Sequence, residues 1–214
     1  MRRVFTVVVG AMLLASLGVP GASAAPQKYN SKVFNAYWTT RQWIDSDTYL
    51  RTTWYSGVYE SGDGFWSDLY KDVERCDQRA GNDRCKSVRF WYGDINDLGT
   101  GSFTMDSKLA SGHLTATYKL QTYKRGQRVV IGKTTVSVDL VGTGHVARSS
   151  DSSTYSSGCV RFSYRDHYKT RDANATGTYQ IGTGTAHDFG GVSDPGTFMS
   201  VGKALEIDTS HCHG

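Results

Sequence analysis

The chain has 214 residues, 38% of them hydrophobic and 21% charged, with a formal net charge of +4. That length suits one ordinary domain behind a short leader. The Lys and Arg residues alternate with Asp and Glu and form no dense basic run, so nucleic acid and anionic membranes have no electrostatic support as partners.

Met1-Arg2-Arg3 gives a short basic start, Val4 to Val19 is nearly all apolar, and Gly21-Ala22-Ser23-Ala24 supplies small residues ahead of Pro26. The pattern predicts a signal peptide over residues 1–24, cleaved after Ala24, and hence a secreted, extracellular protein. The apolar run is shorter than the roughly twenty residues of a spanning helix, and no basic stop-transfer cluster follows it. No cysteine stands at the cleavage site to carry a lipid, so no membrane association is expected after signal removal. Losing Arg2 and Arg3 lowers the formal charge from +4 to +2. Residues 25–31 read as a flexible leader and residues 32–214 as a single domain.

The rest reads as β structure, because apolar residues alternate instead of recurring every third or fourth position. In Thr48 to Glu60, Leu50, Trp54 and Val58 share one face, while Tyr49, Arg51, Tyr55 and Tyr59 share the other. Phe65, Leu69 and Val73 fit a strand face or a helical spacing of four, and the neighbouring β patterns favour a strand. Val88, Phe90 and Tyr92 alternate next and are expected inward. His113 to Tyr123, with Leu114, Ala116, Tyr118 and Leu120 inward, is joined by Lys124-Arg125-Gly126-Gln127 to Arg128 to Val141, with Val136, Val138 and Leu140 in phase. That is the pattern of a hairpin. Further strands are expected at Cys159 to Tyr164, Ala175 to Ile181 and Lys203 to Asp208. Ser149 to Gly158 reads as a turn-like link and Gly182 to Gly196 as a long loop. With no helical crossover, the expected fold is all-β: an antiparallel β-sandwich or barrel.

Four cysteines in an exported chain suggest two disulfides, with three pairings open. Cys76–Cys85 and Cys159–Cys212 are favoured. The first closes a polar turn, worth about 2.7 kcal/mol in loop-closure entropy; the second closes a longer loop, worth about 4.2 kcal/mol, and ties down the C-terminus.

Ser156-Ser157-Gly158-Cys159-Val160-Arg161 resembles the nucleophile motif of L,D-transpeptidases, exported cell-wall enzymes whose motif reads Ser-His-Gly-Cys, one further residue, then Arg. Ser157 stands where that motif has its histidine. The resemblance implies Cys159 as the thiolate nucleophile, His145 as its base and Arg161 as the holder of a substrate carboxylate. The competing reading makes Cys159 half of a structural disulfide. Gly101 to Thr104, Ser107 to Ala116, Val138 to Gly144 and Arg171 to Gly177 look like secreted bacterial, actinobacterial β-rich proteins, a likeness of turns and strands that implies no activity.

No metal or other cofactor is expected. His211 and His213 flank Cys212 and read as solvated histidines beside an oxidised cysteine. Asp94 to Gly99 begins like a calcium loop, but its twelfth position is Met105 where the bidentate glutamate belongs. The remaining candidate is a surface. If Thr48–Glu60, Phe65–Val73 and Val88–Tyr92 are adjacent antiparallel strands, Tyr49, Tyr55, Tyr59, Trp66, Tyr70 and Trp91 converge, with Arg51, Asp68, Asp72 and Arg89 among them. Tyr55, Tyr59, Trp66, Tyr70, Trp91 and Arg89 are then the candidate binding residues for a cell-surface glycan or a peptide. Ordinary cross-strand pairing of an exposed sheet face would use the same residues. The expected function is a secreted, non-catalytic binding module, with the Cys159–His145 cell-wall enzyme as the alternative.

Overall fold

The computed structural model describes residues 26–61, 64–79, 83–95, 101–158 and 160–210, and none of these residues is helical. The strands are β1 (Gln27–Trp43), β2 (Thr48–Ser61), β3 (Gly64–Asp77), β4 (Arg84–Ile95), β5 (Gly101–Met105), β6 (Ser111–Lys124), β7 (Gln127–Gly142), β8 (Ala147–Ser157), β9 (Val160–Ile181), β10 (His187–Asp188) and β11 (Phe198–Ser210). Every pairing among them is antiparallel.

The hydrogen-bonded neighbours form a circuit. It runs β1–β2–β3–β4–β6–β7–β9–β11 and returns to β1. β9 makes the return possible through its length. One of its edges carries β8 over Val160–Thr170 and then β7 over Ala173–Ile181. The other carries β11 over Val160–Asp172.

The expected β6–β7 hairpin is present, with Arg125 (φ +51°) and Gly126 (φ +77°) as its two turn residues. Two consecutive positive φ values match the twist of the flanking strands, as hairpin turns require. Leu114, Ala116, Tyr118 and Leu120 of β6 face Val136, Val138 and Leu140 of β7 into the core. Phe65–Val73 is strand, as the neighbouring alternation suggests.

Three expectations are corrected. Gln27–Ser31 is no loose leader but the start of β1, held by β11 from Gln27↔Glu206 to Ser31↔Gly202. β1 as a whole is absent from the expected strands, yet its Phe34, Ala36 and Trp38 alternate inward and are buried. Ser149–Gly158 is not a turn-like link: Ala147–Ser157 is strand β8, and every residue of it is exposed. Its Ser-rich sequence gives no period-2 signal because neither face is buried.

The long loop after β9 contributes to the core. Phe189 is 2% exposed; it stacks on Trp38 at 4.5 Å and meets Trp54 edge-on at 5.2 Å. The Gly190 and Gly191 amides donate to the Asp188 carboxylate at 2.6 and 2.5 Å, which fixes the turn that presents the ring. The Trp38 indole N–H donates to the Ala175 carbonyl at 3.3 Å, so the buried aromatic cluster is also tied to β9.

Cys76 and Cys85 form a disulfide across β3 and β4 at directly opposed positions. It is the only disulfide among the described residues; Cys159 and Cys212 lie outside them.

Two outcomes follow for stability, both measured by urea denaturation. Leu114→Ala, at a fully buried position, should cost about 2–5 kcal/mol. Replacing Cys76 and Cys85 together by serine should cost about 2.7 kcal/mol, because that crosslink removes loop freedom from the unfolded chain.

Candidate ligand-binding face

β1, β2, β3 and β4 lie side by side, and in-register residues project to the same side of a sheet. On the side away from the core, Tyr37, Tyr55, Tyr70 and Tyr92 are successive register partners across all four strands. Tyr37 and Tyr55 are 5.0 Å apart between ring centroids, and Tyr55 stacks on Tyr70 at 4.7 Å. Phe90 continues the series to Tyr92, and Tyr92 stacks on Tyr123 at 5.7 Å. Four positions from the tyrosine row along β2, Tyr59 and Trp66 pair at 5.4 Å.

Between these aromatic rows runs a polar one: Asn35, Gly57, Asp68 and Asp94 are register partners across the same strands. The Tyr55 hydroxyl donates to Asn35 Oδ1 at 2.7 Å. It can reach because residue 57 is glycine. A Cβ there would lie 2.1 Å from the Tyr55 hydroxyl oxygen. The glycine is therefore a seat for the phenol.

Electrostatics mark the same strip. Burial, and then the opposed Asp94 carboxylate, raise the Asp68 carboxyl above its usual range. Burial pushes the Tyr70 phenol up to about 12 and drives Tyr55 higher still, so both remain neutral donors at any physiological pH. The strip thus offers flat apolar rings, neutral hydroxyls and carboxylate acceptors in alternating rows.

Of the expected binding residues, Tyr55, Tyr59, Trp66 and Tyr70 are brought together here, and Trp66 is 39% exposed. Trp91 and Arg89 are not, which corrects their assignment to this face. Trp91 pairs with Lys71 and Arg89 with Val73, on the core side of the sheet. The Lys71 ammonium lies 5.0 Å from the Trp91 ring centroid and 4.7 Å from that of Trp54, and Arg89 lies over Trp91 at 5.6 Å. Burial, and then Arg89, lower the Lys71 pKa. Phe90 and Tyr92, expected inward, take the outer side instead, Phe90 at 39% exposure. Alternation separates two faces without saying which is wet, and the inward side of β4 ends in Gly93 and Ile95, both buried.

Tyr49 also departs from expectation. It is wholly buried at the far end of β2, its ring 5.0 Å from Trp43 and its hydroxyl donating to Asp83 at 2.6 Å. Arg51 is engaged by Glu74 at 2.8 Å, and Asp72 accepts from Ser87 at 2.6 Å. Tyr37 and Asn35 escaped the sequence reading because β1 itself did. Their signal was the alternation of Phe34, Ala36 and Trp38, which puts Asn35 and Tyr37 on the opposite side.

Cys159 lies outside the described residues. His145 stands in the loop before β8, whereas Ser157 and Val160, the chain neighbours around Cys159, pair at the other end of that strand. Arg161 sits on β9 opposite Ser156. His211 and His213 lie outside the described residues, as do residues 96–100 of the calcium-like segment. Among the described residues no three His, Cys, Asp or Glu side chains come together as a metal site, and no helix is long and apolar enough to cross a membrane.

The raised Asp68 value has a checkable sign. A carboxyl whose folded pKa exceeds its unfolded value of 3.8 contributes stability below that value and loses it as pH rises through the folded pKa. Asp68→Asn should therefore stabilise the fold at neutral pH and not at pH 3, measured by denaturation at both. In an NMR titration, Asp94→Asn should bring the Asp68 midpoint down only part of the way, because burial is the larger cause. No protein-family model matches this chain, and no curated protein matches it.

Proposed function

We propose that the chain is a secreted, non-catalytic module that binds a glycan on the outer face of β1–β4. The observation that carries this reading is the alternation of rows: Tyr37–Tyr55–Tyr70–Tyr92, then Asn35–Gly57–Asp68–Asp94, then Tyr59–Trp66. Sugar rings present apolar C–H faces and equatorial hydroxyls, which need stacking surface and hydrogen-bonding groups side by side. Aromatic rings supply that area with few torsions to freeze. A glycan fits better than an extended peptide, since peptides that add to a sheet use an unpaired edge. β1, β2 and β3 are hydrogen-bonded along both edges.

Within the same proposal, the all-β fold is read as a closed barrel in preference to a sandwich. Supporting this are the return of the pairing circuit through β7 and β9 and the single inward core shared by all its strands. Secretion is supported by the residues 1–24 pattern, and the Cys76–Cys85 disulfide is compatible with an oxidising compartment.

Glycan-array binding followed by titration calorimetry on the best hit tests the proposal. Trp66→Ala and Tyr70→Ala should each weaken binding about tenfold, about 1.4 kcal/mol. Trp91→Ala, on the core side, should leave the affinity unchanged. An array with no hits, or equal losses in all three folded variants, removes the glycan reading.

A further inference from the structure

β4 and β6 are neighbours in the circuit, yet their backbone ladder is confined to Tyr92↔Gln121. On both sides of that gap the strand pairing carries a bulge. In β4 the register jumps from Arg89, opposite Val73, to Ser87, opposite Glu74, which leaves Val88 as the extra residue. In β7 it jumps from Gly132, opposite Leu120, to Val130, opposite Gln121, which leaves Ile131. A bulge bends its strand and re-aims a side chain. Here both extra side chains border one cleft of about 640 Å³, which opens between the parted strands. That volume is in the range of small-molecule sites, roughly 300–1,000 Å³.

The lining has a consistent chemistry. Val88 is 57% exposed, and Phe90, Ile131 and Ile181 lie close to 40%, so solvent meets apolar surface in one place. The charged residues of the lining are Arg89 and Lys124, with no carboxylate among the described lining residues. The adjacent Asp72 already accepts the hydrogen bond of Ser87, which lines the cleft. Trp91 forms part of the wall, with the Lys71 ammonium beyond it. An apolar slot bordered by cations and no anion complements a molecule with a hydrocarbon body and one negative head.

We infer that this cleft binds a small amphipathic carboxylate, its hydrocarbon part against Val88, Phe90 and Ile131 and its carboxylate at the Arg89–Lys124 rim. The site is separate from the glycan face: it penetrates the sheet between β4 and β6, and its cations are not on the outer rows. Phe90 and Tyr123 stand where the two meet.

Titration calorimetry with decanoate, kept below its micellar concentration, tests the assignment on the intact protein. One saturable site is expected. Decyltrimethylammonium, with the same tail and the opposite charge, should bind at least tenfold more weakly. The double variant Arg89→Met, Lys124→Met should lose at least tenfold in decanoate affinity, with its circular dichroism unchanged. Tyr55→Ala, on the glycan face, should keep it. Absence of saturable decanoate binding, equal affinity for the two surfactants, or an unaffected folded double variant overturns the inference. The surfactant comparison uses the native sequence and decides the matter even if the double variant does not fold.

Discussion

The structure depends on β9 being hydrogen-bonded along both edges. An exposed strand edge leaves backbone donors and acceptors without partners in the sheet and invites pairing with other chains. β9 answers this with length: at 22 residues it reaches β8, β7 and β11 in turn. Without that reach, β7 and β11 would be two edges, and the inner faces of β1–β3 and β6–β7 would not meet over one core. Phe189 occupies the place where they meet, packed on Trp38 of β1, Trp54 of β2 and Tyr179 of β9.

A filled core directs chemistry outward. The inner surface is taken up by large side chains, Trp38, Phe34, Phe65 and Tyr118 among them. One of its buried polar groups is spent internally: Ser67 Oγ donates to the Gly57 carbonyl at 2.8 Å and lies 2.5 Å from the Tyr118 hydroxyl. The ligand surfaces proposed above are the outer aromatic rows and the gap where the β4–β6 ladder fails. The two places differ in kind. The rows arise from regular pairing, which repeats a ring at each strand; the cleft arises from irregularity, since two bulges end that regularity.

Much of the fold was legible. Leu114, Ala116, Tyr118 and Leu120 against Val136, Val138 and Leu140 sit at the one-in-two spacing of a half-buried strand, and a Gly-containing turn separates them. Local physics suffices there. It fails for β8, whose residues are all exposed, and for Gln27–Ser31, which is strand because β11 lies beside it. The disulfide was legible for a similar reason, Cys76 and Cys85 being close in sequence across a polar turn. Half of the aromatic face was legible as well, from the parity of Tyr55 and Tyr59 in β2 and of Trp66 and Tyr70 in β3.

What the sequence by itself determined is the class of structure and the alternation within each strand. Those follow from residue-by-residue preferences and a period of two. Tertiary structure decided which side of each strand faces water, and so removed Trp91 and Arg89 from the outer face and placed Phe90 and Tyr92 on it. It also decided the partners, bringing Tyr37 and Asn35 of β1 beside Tyr55. The physical reason is that a strand's two faces are equivalent until a neighbour covers one of them, and its neighbours here lie as far away in the chain as β11 is from β1.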